Sequence, residues 1–287
     1  MIIVKITGGL GNQLFQYALG RALSLKLGCE LVLDISFYPL QTLRKYELDK
    51  FNIKARLATT TEIKKAGAGN NFTAKLVRKL GLTSLLYQNY IKELESFSYV
   101  NDIDDCKEGC YLDGYWQNPK YFEAFKKELC EDLSPVAPIS APAAKWLDKI
   151  KSTESVSLHV RRGDYVKNAY TNSVHGICSL EYYRNAIEHI QQQIDTPIFY
   201  IFSDDIQWCK DNLNFISNVN FVDDTCSVID DLALMQKCKA NIIANSTFSW
   251  WGAWLNSSQG LQVAPLNWFS FSDRNSQDIY PKLWRIL

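Results

Sequence analysis

Four short apolar runs in the second half of the chain, SVSLHV, PIFYIFS, NVNFV and ANIIANS, each end among polar residues. They are rich in Val, Ile and Phe and have the length of buried strands. Helical stretches lie between them, from Leu180 to Ile194 and from Ser227 to Cys238. Strands alternating with helices specify a parallel, doubly wound α/β sheet. The carboxyl ends of such strands share one edge, and ligands bind there. To that edge the sequence delivers His159, Arg161, Arg162 and Asp164, then Ser203, Asp204 and Asp205, then Asp223 and Asp224, then Asn245, Ser246 and Thr247. One polar strand end is ordinary loop chemistry; four in succession, two arginines among them, point to a polar ligand.

Side-chain alternation puts His159 and Arg161 on one face of the strand, if it reaches residue 161, and Arg162 on the other. The planar guanidinium fork holds phosphate bidentately. The competing reading pairs Arg162 with Asp164 to brace a turn. In NSTFSWWGAWL, Ser246 or Thr247 stands at the N-cap of a helix running through Trp254. Free N–H groups and a hydroxyl there suit an anion, though capping alone also accounts for them. Trp250, Trp251 and Trp254 read as core.

The first half opens with a strand over Met1–Thr7, the glycine turn GGLGN, a helix from about Gln13 to Leu27 that Gly28 can stop, and a second strand in CELVLDI. GGLGNQ lacks the last glycine of GxGxxG and has no GKS or GKT, so a dinucleotide or P-loop reading is weak; close approach of backbone to a ligand remains. TTTEIKKAGAGNN reads as a short helix ending in a loop. A basic helix over Thr73–Leu82, with Lys75, Arg78 and Lys79, reads as a solvated face, with weak membrane-surface association as the alternative. Pro135, Pro138 and Pro142 in SPVAPISAP mark a linker.

The 31 basic residues balance the 31 acidic ones. A net charge of zero argues against nucleic acid or a membrane coat as general partner. No run of about 18 apolar residues signals a transmembrane helix, and MIIVKIT is too short for an export signal. The 8 cysteines form no CxxC pair, and 3 histidines leave little for a zinc site. Reduced thiols and a cytoplasmic chain are the expectation, with a peripheral place on the inner membrane as the alternative.

In this order, GGLGNQLFQYALG, DGYWQNPKYF, HVRRGDY, FSDD with Trp208 close behind, and NSTFSWWGAWL resemble the bacterial α-1,2-fucosyltransferases of glycosyltransferase family 11. The match runs from Gly8 to about Phe269. HxRRxD is shared with α-1,6- and protein O-fucosyltransferases; FSWWGAWL and GGLGNQ are specific. The resemblance implies a GT-B-like α/β architecture, two Rossmann-like halves with the active site in the cleft between them. It implies residues 1–140 on the acceptor side and 141–287 on the donor side. The donor would be GDP-β-L-fucose and the acceptor a galactose-terminated oligosaccharide or lipid-linked glycan. Transfer would invert to an α-linkage on the galactose 2-hydroxyl, without metal or other cofactor. Arg161 would hold the β-phosphate with Arg162 close by, and His159 would lie near the nucleotide. Ser246, Thr247 and Phe248 match the stretch that contacts phosphate and base. Asp231 would read guanine or ribose, and Asn12 would reach the donor from the first half.

The proton acceptor is open between Asp164 and His175, the latter in NSVHGICS with a suitable intrinsic pKa. The glutamate that α-1,6 relatives carry just past the aspartate is absent: Val166, Lys167, Asn168 and Ala169 stand there. Trp116 in DGYWQN is a candidate to stack on a sugar face, with core packing as the alternative. Two other readings remain. One is a metal-dependent GT-A transferase using the D-x-D at Asp102 and Asp104; the other is a binding module without turnover.

Overall fold

A computed structural model describes residues 1–69, 76, 77, 79, 87, 89–95, 97–163, 176–258, 260–269 and 277–287. The chain divides into two compact units, Met1–Ser134 and Pro135–Leu287.

The first unit is built on β1 (Ile2–Lys5), α1 (Leu10–Leu27), β2 (Leu31–Asp34), β3 (Arg56–Leu57), α2 (Thr60–Lys65), β4 (Tyr90–Lys92), β5 (Tyr111–Asp113) and α3 (Lys126–Asp132). Its strands form a parallel sheet in the order β3-β2-β1-β5-β4. Helix α1 begins earlier than the glycine turn suggests. Gly9 is its N-cap in extended backbone, and the N–H groups of Asn12 and Gln13 already bond the Gly9 carbonyl, so Leu10–Asn12 form the first turn. Gly20 of α1 faces Val4 and Leu31 of the sheet. On the opposite sheet face, Ile3, Val32, Tyr90 and Tyr111 form a buried cluster. Thr59 and Glu62 close a capping box around the start of α2. The basic helix expected over Thr73–Leu82 falls mostly on residues outside those described.

The second unit contains α4 (Ala141–Lys151), β6 (Ser155–Val160), α5 (Leu180–Gln191), β7 (Ile198–Ser203), α6 (Ile206–Asn212), β8 (Val219–Phe221), α7 (Val228–Met235), β9 (Ala240–Ile242), α8 (Thr247–Trp254), β10 (Gln262–Ala264) and β11 (Arg285–Ile286). Its six strands are all parallel, ordered β11-β10-β9-β6-β7-β8. Pro142 does not lie in a linker: it sits in the first turn of α4 behind the N-cap Ser140, where a missing N–H costs no helical bond.

Alternate residues of β6 serve different faces. Val156, Leu158 and Val160 join the core made with Tyr183, Ala186 and Ile190 of α5 and Cys209 of α6. His159 turns the other way, its ring 5.8 Å from that of Phe248 in α8. Trp250 and Trp251 are fully buried, and Trp250 stacks on Trp254 at 6.0 Å. At ~25 cal/mol per Å², each buried indole stabilises the unit by about 4 kcal/mol, before ordering entropy is subtracted. This packing fixes the start of α8 relative to the carboxyl edge of β6 and β9.

Candidate functional site

Strand β6 ends at Val160, and the next residues enter an acidic clamp from β7. Arg161 Nη1 lies 2.8 Å from Asp204 Oδ2, with both side chains about one-quarter exposed. The other oxygen of Asp204 accepts the backbone N–H of Arg162 at 2.9 Å. Asp204 therefore fixes one guanidinium and the main chain beside it. A Cβ on Gly163 would stand 2.6 Å from Asp204 Oδ2, so the glycine of HVRRGDY is what lets the carboxylate come so close. Arg162 turns to Asp205, Nε to Oδ2 at 3.4 Å, and its guanidinium lies 3.9 Å over the Trp208 ring. Among the described residues, Arg162 is braced by Asp205. Asp164 and His175 both lie outside the described residues.

His159 is buried beside this clamp. Burial pushes its pKa down to about 4; Asp204 opposes the shift and Arg161 adds to it. The imidazole is neutral at pH 7, and its Nδ1 meets no hydrogen-bonding partner among the described residues. Ser246 is the N-cap of α8 in extended backbone, and no side chain among the described residues caps that helix. Thr247 and Phe248 form its first turn.

The other strand ends are spent differently. Beyond β8, Asp223 pairs with Lys210 at 2.7 Å and Asp224 accepts the Trp146 indole N–H. Asn245 donates to the Gly176 and Trp268 carbonyls. Asp231 lies on α7 and accepts the Thr225 hydroxyl at 2.7 Å; burial raises its carboxyl to about 6.

The first unit joins its two motifs through a buried amide network. Gln16 Nε2 donates to the Gly114 carbonyl at 2.9 Å and to Thr7 Oγ1 at 3.0 Å. Gln13 bonds the Gly8 and Lys45 carbonyls and the Glu47 N–H. Asn12 accepts from Gln117 at 2.9 Å. Trp116 is fully buried, with left-handed backbone at φ 58 that turns the indole inward, edge-on to Tyr121. Core packing, not sugar stacking, is its role. Glu93 supports that turn by accepting the N–H groups of Tyr115 and Trp116. Gln13, Gln16, Glu93 and Gln117 went unsingled in the sequence; the legible sign was two glutamines on the inner side of an otherwise apolar helix.

The family model of glycosyl transferase family 11 matches residues 1–287. The chain belongs to glycosyltransferase family 11. The alpha-1,2-colitosyltransferase of Escherichia coli is 38% identical, over 99% of this chain and 98% of that protein. The galactoside 2-alpha-L-fucosyltransferase SEC1 of Bos taurus is 27% identical over 53% of this chain and 44% of its own length. Among solved structures, NodZ alpha-1,6-fucosyltransferase soaked with GDP-fucose covers 88% of this chain and 92% of its own, with a TM-score of 0.51 at 12% identity. The fold of this family 11 glycosyltransferase is GT-B, with a parallel sheet in each unit. The Asp102 and Asp104 of the D-x-D lie in the first unit, where Asp104 accepts the Tyr99 hydroxyl at 2.7 Å. No helix among the described residues is long and apolar enough to cross a membrane.

Proposed function

We propose that this family 11 glycosyltransferase moves L-fucose from GDP-β-L-fucose to the 2-hydroxyl of a terminal galactose, with inversion to the α-linkage. The observation that carries the reading is the pair of guanidiniums, each tied to its own aspartate, at the carboxyl edge of β6. In this reading Pro135–Leu287 binds the donor and Met1–Ser134 the acceptor.

As the sugar–phosphate bond breaks, negative charge grows on the departing diphosphate and the ring becomes oxocarbenium-like. Arg161, oriented through Asp204, meets the β-phosphate, with Arg162 beside it. The N–H groups at the start of α8, near Ser246 and Thr247, add partial positive charge. Donors already aimed at the developing charge need no reorganisation during the reaction. His159, neutral and flanked by Phe248, and Asp231 contact the nucleoside side. The acceptor 2-hydroxyl gives its proton to Asp164 or His175. No metal is required, because the arginines and helix N–H groups supply the compensation. The reaction runs in the cytoplasm, which suits eight free cysteines.

The colitosyltransferase relative favours a second donor, GDP-colitose. A donor panel decides. GDP-fucose, GDP-colitose and UDP-galactose are offered with a galactosyl-β-1,3-N-acetylglucosamine acceptor in saturating EDTA, and the product linkage is read by NMR. The expected product is α-1,2-linked from a GDP-sugar, at a rate that EDTA leaves intact. Turnover of UDP-galactose contradicts the donor assignment. Activity lost in EDTA and restored by Mn²⁺ contradicts the metal-free account.

A further inference from the structure

Two cysteines meet at the amino-terminal edge of the first unit's sheet, the edge opposite Gly9 and Asn12. Cys110 directly precedes β5, and Cys106 stands four residues before it. The two are 3% and 6% exposed. Between them Lys107, Glu108 and Gly109 form an exposed turn, so the pair lies just beneath the surface. The Cys110 N–H closes that turn on the Lys107 carbonyl at 3.3 Å, and Gly109 supplies its left-handed residue at φ 92. The turn is pinned to the start of β1. The Gly109 N–H bonds the Met1 carbonyl at 2.7 Å, the Met1 ammonium pairs with Glu108 at 3.1 Å, and the Ile3 N–H bonds the Cys110 carbonyl at 2.9 Å. The turn folds the two side chains back on each other, and the Cys106 thiol donates to the Cys110 sulfur. No group of three His, Cys, Asp or Glu side chains that could hold a metal ion forms among the described residues.

Burial by itself raises a thiol's pKa. Cys209 and Cys238 show this: burial pushes both up, Cys209 to about 11. Cys110 goes the other way. The thiol of Cys106 brings it down to about 7, with help from the Lys107 main chain and the Met1 ammonium and against its burial. Cys106, the donor in that bond, is raised. The proton therefore leaves Cys110 first, and near neutral pH a thiolate sits against a thiol. The thiolate is the nucleophile in sulfur chemistry, and a neighbouring thiol resolves what it forms.

We propose that Cys106 and Cys110 are a redox-active dithiol that a peroxide converts reversibly to an intramolecular disulfide, with Cys110 attacking and Cys106 resolving. With hydrogen peroxide, the Cys110 thiolate takes one oxygen as the O–O bond breaks. This gives Cys110 sulfenic acid and hydroxide, which is protonated to water. The Cys106 sulfur then attacks the Cys110 sulfur. The S–S bond forms, the S–O bond breaks, and a second water leaves with the Cys106 proton. Two electrons pass from the two thiols to one peroxide. Opening of the surface turn admits the oxidant, and the disulfide closes a loop that includes only that turn. The assignment does not depend on the transferase reading.

The test is a peptide map of the reduced full chain after one equivalent of hydrogen peroxide at pH 7. Trypsin cuts after Lys107 and so separates the two cysteines, into residues 93–107 and 108–120. The expected product is these two peptides joined by a disulfide, and dithiothreitol should part them again. Cys106→Ser removes the resolving thiol, so a dimedone label should collect on Cys110, about tenfold or more above that on the buried Cys209 and Cys238. In Cys110→Ser, Cys106 should take no label at the same dose. The wild-type map needs no variant, so the link is testable even if one misfolds. A disulfide from either cysteine to Cys29 overturns the proposal. So does a wild type in which the exposed Cys226 oxidises while Cys106 and Cys110 stay reduced, or a label on Cys106 in Cys110→Ser.

Discussion

Arg161→Lys lowers kcat about a hundredfold while the protein stays folded. Lysine keeps the charge but loses the planar fork that can hold Asp204 and a phosphate oxygen together. Removing one preorganised donor from a site of developing negative charge typically costs a factor of about 10² to 10³. The Arg161–Asp204 pair is partly exposed, so its own contribution to stability is small, of the order of 1 kcal/mol or less. The thermal midpoint therefore moves little, and the effect appears in steady-state kinetics. Near-normal kcat in Arg161→Lys contradicts the phosphate role. An unfolded variant means that the arginine serves the fold instead.

Asp231→Asn weakens GDP at least tenfold and, at pH 7, stabilises the apo protein. Both effects follow from a carboxylate partly shielded from water. Burial lifts its pKa to about 6 against the usual 3.8. Between those values the folded chain holds a proton that the unfolded chain has released, so stability falls as pH rises through the window and stays lower above it. The difference corresponds to about 3 kcal/mol. Asparagine removes that penalty, yet it replaces a charged acceptor of nucleotide N–H or O–H groups, a bond worth about 1.5–3 kcal/mol.

His159 acts in the opposite sense. Its folded pKa of about 4 lies below the usual 6.5, so the stability of the neutral buried ring is lost as pH falls from 6.5 towards 4. The two windows overlap, and in the wild type they largely cancel. Asp231→Asn removes one side of the balance. Its melting temperature should exceed wild type at pH 7, converge with it near pH 4, and fall more steeply between. A variant no more stable than wild type at pH 7 contradicts the raised carboxyl pKa of Asp231.

The second unit was largely legible because its signal is local. Short Val- and Ile-rich runs read as strands, and their carboxyl ends marked the edge that now carries Arg161, Arg162 and Ser246. What failed to show depended on distant pairing. No local pattern around Arg162 marks Asp204 and Asp205 as partners of its N–H and Nε; β7 brings them alongside β6. The polar ends at Asp223 and Asp224 looked equivalent to the others, yet they brace Lys210 and Trp146. In the first unit, GGLGN looked like a turn because glycines usually break helices; here Gly9 caps one and Gly11 lies inside it. The contact of Asn12 with Gln117 spans a separation along the chain that no local pattern encodes.

Hydrogen–deuterium exchange of the full chain with and without GDP, in EDTA, tests the central claim most directly, because it reports where the nucleotide sits. The account predicts slowed exchange in peptides covering residues 158–163, 203–205 and 244–249, with a smaller effect around Asp231. GDP that binds without protecting those segments, or that protects only peptides from residues 1–134, contradicts it.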